Sequence, residues 1–463
     1  MTIDVLPDNV LLEIFHFYKD DALNYLDLSF TWRWNPLTQV CRRWRHIVLG
    51  SPRRLDLRLV CTMTTPVSRL LDIWPPFPIT VYLPYPISVL DENGVENIIA
   101  ALECRDRISD ILMYEIRGPD LEKLVTVLHE PLPLLTRFLL HSSDESVPVL
   151  PETFLGGSAP RLETFQLTGI PFPSFPKFTL SFTHIANLHL FDIPNSGYIS
   201  PEVMATSLTV LPNLASLYIG FRSPPSGLLQ LSPPHLTRAA LPSLSGLIFH
   251  GASEYFESFV ARIDTPRLTS LRTTFFMDLI FDIPRLRNFI DRTEGLKPFN
   301  QAAIDFSHWM IKIVFGPGSS PQFELEVRCE RLDWQLSSIT QIFSEQLPLL
   351  SCVEQLKLRE LPLNPLEGFE WKDDPDMDSA QWLELFRLFV AAQSLHVSER
   401  LASPVARALQ DQTGQTATEV LPVLRTLFVE GLQPSGPIHE AMKSFDTARQ
   451  LSHQSVLIQR WER

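Results

Sequence analysis

The chain has 463 residues and a formal net charge of −14, with 45% hydrophobic and 20% charged residues. That balance supports a large buried core and excludes wholesale disorder, while the acidic excess repels phosphate backbones and excludes a general nucleic-acid binder. Proline is frequent at 39 residues and glycine scarce at 18, which favours stiff repeated turns over glycine loops that cradle phosphates.

The chain opens Met1-Thr2-Ile3-Asp4-Val5-Leu6-Pro7-Asp8, without the basic start or apolar stretch of a signal peptide. Over residues 5–18 the apolar positions Val10, Leu11, Ile14, Phe15 and Tyr18 predict one face of an amphipathic helix, with Pro7 suited to its first turn. A polar and aromatic connector, Lys19 to Asn35, follows. A second helix is predicted from Pro36 to Leu49, with Leu37, Val40, Cys41, Trp44, Ile47 and Val48 along one side and Gly50-Ser51-Pro52 ending it. The first 60 residues carry 8 basic and 7 acidic side chains, so all of the excess negative charge lies downstream.

From there the chain repeats. A proline, a leucine and a short alternating strand recur in Leu132–Leu140, Ala159–Leu167, Leu211–Ile219, Leu241–Phe249, Thr265–Thr273 and Leu421–Val429. The pattern P-x-L-x-x-L-x-Φ contains the x-L-x-x-L-x-L core of leucine-rich repeats. The middle apolar positions are Phe138, Phe165, Leu188, Leu217, Leu247, Leu271, Leu356, Leu395 and Leu427, with Leu57, Val81, Ile111, Ile304 and Val327 as weaker candidates. Their mean spacing of about 28 residues lies at the helix-containing end of the leucine-rich range. Between them, Val95–Leu102, Leu121–Leu128, Glu254–Arg262 and Ala380–Val390 have helical periodicity. The regularity weakens over 280–345 and 360–378; Ile283–Ile290 reads as helix and 361–378 as an acidic, proline-rich loop. Pro437–Arg449 and Val456–Trp461 read as a helix and a strand that cap the stack.

The segment Leu6-Pro7-Asp8-Asn9-Val10-Leu11-Leu12-Glu13-Ile14-Phe15, followed by Val40-Cys41-Arg42-Arg43-Trp44-Arg45, resembles the F-box. The remainder is similar to the leucine-rich-repeat half of fungal F-box proteins of the mushroom type. The resemblance implies an α/β chain: an N-terminal helical F-box module over 1–52, then a leucine-rich-repeat-like strand–helix solenoid with a parallel sheet over 53–463. It implies a non-catalytic substrate receptor of a ubiquitin ligase. A Skp-type adaptor, and through it a cullin–RING ligase, docks on Leu6, Pro7, Val10, Leu11, Ile14, Phe15, Leu37, Val40, Cys41 and Trp44, or on the surface that these residues support. The repeats hold an unknown target protein. From Leu6 to Val40 the spacing exceeds the usual F-box distance, the extra length lying in the connector. A leucine-rich scaffold or inhibitor, its N-terminal hairpin merely capping the array, stays open as the second reading.

No G-x-x-x-x-G-K-[ST], G-x-G-x-x-G, H-E-x-x-H or G-x-S-x-G occurs. Five scattered cysteines, Cys41, Cys61, Cys104, Cys329 and Cys352, form no C-x-x-C. Neither disulfides nor zinc are therefore expected, and Cys41 reads as a small buried apolar residue. Asp374-Pro375-Asp376-Met377-Asp378 imitates the start of a calcium loop but lacks its glycine and closing glutamate. His184, His189 and His250 lack metal spacing. The cluster Arg42, Arg43, Arg45, Arg53, Arg54 and Arg58 fits a solvated face, contact with an acidic adaptor, or a nuclear-import or nucleic-acid patch. No cofactor, nucleic acid or membrane is implied; the expected location is cytoplasmic or nuclear.

Overall fold

The computed structural model describes residues 5–20, 34–84, 90–223, 238–276, 283–296, 299–307, 309–316, 322–328, 332–343, 348–361, 379–410, 419–451 and 453–461. Two compact units emerge, one over 1–199 with 210–214, the other over 200–209 with 215–463. The Asp374–Asp378 stretch, Cys329 and most of the 19–35 connector lie outside the described residues.

The first unit begins with three helices, α1 (Asp8–Asp20), α2 (Asn35–Val40) and α3 (Arg42–Gly50). Six strands follow: β1 (Leu59–Cys61), β2 (Ile79–Leu83), β3 (Ile108–Met113), β4 (Arg137–His141), β5 (Thr164–Thr168) and β6 (Asn187–Ile193). They pair in parallel in chain order. Helices α4 (Val67–Ile73), α5 (Glu92–Leu102), α6 (Gly118–Val127) and the single turn α7 (Phe175–Phe178) lie between strands. Val81, Ile111, Phe138, Phe165 and Leu188 stand in one register row and are fully buried. Leu57 precedes the first strand, and Cys61 is the partner of Val81. Phe138 stacks on Phe165 at 5.5 Å, and Phe154, Phe172, Phe178 and Phe182 pack around them. This file of rings uses six of the 30 phenylalanines; each buried ring contributes roughly 1.5–3 kcal/mol.

The second unit comprises α8 (Pro201–Leu208), β7 (Ser216–Phe221), β8 (Ala239–Ala240), β9 (Gly246–Gly251), α9 (Ser253–Val260), β10 (Ile263–Asp264), β11 (Ser270–Phe275), α10 (Pro284–Arg292), β12 (Gln301–Phe306), β13 (Met310–Phe315), β14 (Phe323–Arg328), α11 (Leu332–Gln341), β15 (Gln355–Glu360), α12 (Ser379–Arg387), β16 (Ser394–Val397), α13 (Glu399–Gln410), β17 (Thr426–Glu430), α14 (Pro437–Gln450) and β18 (Leu457–Trp461). Its main sheet runs β7-β9-β11-β14-β13-β12-β15-β16-β17-β18, with β8 and β10 as a separate pair.

The proline-leucine signature has a local cause. In all six repeats quoted above, the residue before the proline accepts from the leucine amide three positions on, as in Leu135 to Leu132 and Leu424 to Leu421. Proline occupies the second place of this turn, where its fixed φ is pre-set. The turns deliver the chain into short strands, and the one over Thr426–Glu430 alternates buried and half-buried residues throughout. The pattern, register and interleaved helices make both units leucine-rich-repeat-like.

The parallel expectation fails at one place. β13 is antiparallel to both its neighbours, β12 and β14. A tight turn after Ser307 reverses the chain: its hydroxyl accepts from the Met310 amide at 3.2 Å, and its own amide donates to the Met310 carbonyl at 3.0 Å. The alternation of Phe323-Glu-Leu-Glu-Val-Arg328 suits such a hairpin. The row partners are consequently Ala302 for Leu356 and Phe323 for Leu271, two residues before Ile304 and four before Val327 respectively. At the C-terminus, buried Arg449 donates to the carbonyls of Val420, Leu421 and Pro422 at 3.0 Å each, locking α14 onto the turn before β17.

Candidate functional site

Helix α1 begins where the Pro7 carbonyl accepts from Val10 and Leu11. Its apolar residues divide into two stripes. Leu11, Leu12 and Phe15 are buried. Val10, Ile14, Phe17 and Tyr18, at helical spacing, face water, with Phe17 at 70% exposure.

The single helix predicted over 36–49 is broken at Cys41, whose backbone is extended (φ −156°, ψ 170°). Its Sγ accepts from the Trp44 amide at 3.4 Å and caps α3. Cys41 is therefore exposed, against the buried role expected for it: a residue that leaves the helix to cap the next one cannot also fill a helical core position. Val40 beside it is 59% exposed.

The ten predicted docking residues thus separate. Pro7, Val10, Ile14, Val40 and Cys41 are exposed, Leu6 and Trp44 are half-buried, and Leu11, Phe15 and Leu37 are buried. These last three are core beneath the surface and are not available to touch a partner directly. Phe15 packs against Trp44 with ring centroids 4.7 Å apart. The sequence reading missed Phe17 and left Tyr18 out of the docking set; their spacing from Val10 and Ile14 was the available signal.

Ion pairs hold these helices together. Arg43 donates to Asp8 at 2.6 Å and to the Leu6 carbonyl, and Arg54 pairs with Glu13. Arg45 donates to the Thr38 carbonyl at 2.8 Å, and Arg58 pairs with Asp56 and Asp110. Four of the six clustered arginines are thus engaged within the chain. Buried Trp34 ties the module to the first repeats: its Nε1 donates to the Arg58 carbonyl at 3.1 Å, and its ring meets Trp74 and Phe77 edge-on.

The outward face of the first unit's sheet carries Tyr82, Leu112, Leu139, Gln166 and His189 along one row. Below it sits Asp110, a fully buried carboxylate missed in the sequence. It accepts from Arg137 Nε at 2.6 Å, Ser109 at 2.9 Å, Thr80 at 3.1 Å, Thr136 at 3.4 Å, and Arg58. Burial raises the phenols of Tyr82 and Tyr114 and lowers His189.

In the second unit the outward face is more charged. Arg359 grips Asp305 with two hydrogen bonds of 2.7 and 2.9 Å, and Lys312 lies 3.8 Å from Glu324. His396 stacks on Phe428 at 4.3 Å, and burial lowers its pKa, with Lys357 acting in the same direction. Burial pushes Tyr218 up to about 12. Of the three histidines named from sequence, His184 is exposed, His189 half-buried and His250 buried. Among the described residues no group of three or more His, Cys, Asp or Glu side chains is placed to hold a metal ion, and no helix is long and apolar enough to cross a membrane.

No protein-family model and no curated protein matches the chain. Among solved structures it is similar to the leucine-rich repeat-containing protein LegL7 from Legionella pneumophila, at 14% identity and a TM-score of 0.28, over 84% of this chain and 97% of that one.

Proposed function

We propose that the chain is a non-catalytic substrate-recognition subunit of a Skp/cullin/F-box ubiquitin ligase. In this reading residues 1–52 dock a Skp-type adaptor, and the repeats over 53–463 hold the target protein. The observation that carries it is the apolar surface of Val10, Ile14, Phe17 and Val40, exposed on helices whose sequence follows the Leu-Pro and Val-Cys-Arg-x-Trp pattern. Apolar side chains at helical spacing are the anchors of helix-in-groove recognition. The receptor acts by proximity: it raises the local concentration of target lysines near an enzyme bound elsewhere in the assembly, in the cytoplasm or nucleus, and needs no nucleophile of its own.

The test is co-purification with a recombinant Skp-type adaptor. Ile14→Asp and Val40→Asp place a charge on the exposed stripe without touching the core, and each is expected to weaken binding roughly tenfold or more. Trp44→Ala is a poorer probe, because it also strips the packing from Phe15. Undiminished binding by both aspartate variants sinks the reading and favours a repeat scaffold with a capping hairpin.

A further inference from the structure

We propose that the outward face of β2–β5 holds an extended segment of a partner protein bearing one oxyanion, a carboxylate or a phosphate, between apolar residues, with Arg137 as its anchor. This rests on the reading that the repeat sheet is the gripping surface; it does not depend on the adaptor.

Asp110 is saturated by its five donor side chains, and Arg58 is held by Asp56 as well. Arg137 differs from Arg58. It gives Asp110 only its Nε, its side chain is 41% exposed, and among the described residues nothing accepts a hydrogen bond from its terminal amino groups. The guanidinium is held through Nε, and its terminal amino groups lie on a side chain that is partly open to solvent. Such a group loses little freedom when it binds, and its planar fork matches a carboxylate or phosphate.

The surroundings favour one charge flanked by grease. The next outward positions along the sheet, Tyr82, Leu112, Leu139 and Gln166, are uncharged; Tyr82, Leu112 and Gln166 are half-buried and Leu139 is 9% exposed. The Arg137 charge also reaches the Tyr114 phenol, where it opposes the upward shift that burial causes. Apolar partner residues laid on this row exclude water from the arginine–oxyanion pair and so strengthen it. The chain as a whole carries −14. An acidic segment is therefore repelled by the molecule at large, and what holds it at this face is direct hydrogen bonding to the partly exposed Arg137 guanidinium.

The test selects a phage-displayed library of random decapeptides on the full-length chain. Enriched peptides are synthesised with Asp, phosphoserine or Ser at the selected position, and Kd is read by fluorescence polarisation at two salt concentrations. The expected peptides carry one acidic residue between apolar ones. Replacing it with Ser weakens binding roughly tenfold, Arg137→Gln causes the same loss and removes the salt dependence, and Arg137→Lys falls between. The tighter of the Asp and phosphoserine peptides identifies the source of the oxyanion. Gln166→Glu, which leaves Asp110 untouched, weakens the acidic peptides but not their Ser counterparts; it carries the test if Arg137→Gln unfolds. The Val40→Asp variant retains peptide binding even where adaptor binding is lost, so the two readings fail separately. The proposal is overturned if no peptide is enriched, if enriched peptides lack an acidic residue, or if Arg137→Gln and Gln166→Glu bind the acidic peptides as tightly as the parent.

Discussion

Asp110 accepts from five side chains, and its carboxylate has no exposure to water. An ionised group so placed is tolerable only because every lone pair has a donor; removing it leaves Arg58 and Arg137 facing a dry hydroxyl cluster. Asp110→Ala is expected to cost about 2–4 kcal/mol, read as a lower urea midpoint, whereas Asp56→Ala, on an exposed partner of Arg58, moves it little. A second residue-scale contrast lies in the thiols. Burial pushes Cys61 up to about 12, with Cys104 acting in the same direction, while Cys41 stands in water. At pH 8 iodoacetamide should therefore label Cys41 in the folded protein while Cys61 stays unmodified until urea is added; equal rates contradict this placement.

At the scale of elements, caps fix where helices begin. Glu257, almost fully buried in α9, accepts from the amides of Arg285 and Leu286 at 2.8 and 2.7 Å, supplying a carboxylate to the start of the following repeat's helix α10. Glu257→Ala is expected to lose about 1–2 kcal/mol, with Glu257→Gln losing less because one amide can still be met; calorimetric melting distinguishes them. Such a bond joins residues nearly thirty apart and leaves no mark in local sequence. Elements governed by neighbours in sequence were legible: the Pro-x-Leu turns, the buried Leu and Phe rows, and the helices at 95–102, 121–128, 254–262 and 380–390 all lie where periodicity put them. The break at Cys41 was not, because an apolar stripe continues across it and only the sulfur's contact with the Trp44 amide marks the cap. Nor was the reversal of β13, since alternation specifies a strand without its direction. For the candidate surface, sequence supplied the stripe but could not divide Val10 and Ile14, which face outward, from Leu11 and Phe15, which face in.

For the whole molecule, acid is expected to loosen the fold through two half-buried imidazoles. His189 in the first unit and His396 in the second are held below the ordinary histidine value by burial. In the unfolded chain they protonate near pH 6.5. Between that value and their lower folded ones the unfolded state binds more protons, so stability falls as pH drops through this window and is unaffected above it. Glu326 works the other way: its folded value is raised, so it costs stability at neutral pH, and that cost is relieved as the pH falls through its folded value. Urea midpoints at pH 7.5, 6.5 and 5.5 should hold between the first two and fall at the third, and His189→Gln with His396→Gln should flatten the fall.

The reversed hairpin bears on how the protein is made. In the first unit each new strand settles on the one synthesised just before it. Strand β11 cannot do so: the place beside it is kept for β14, whose Phe323 is the register partner of Leu271, and the ribosome must deliver β12 and β13 first. Until then the growing polypeptide carries an unpaired β edge of Ser270–Phe275, followed by two strands that have not yet found their neighbours. This is the stretch of translation at which a nascent chain of this protein is most in need of a chaperone.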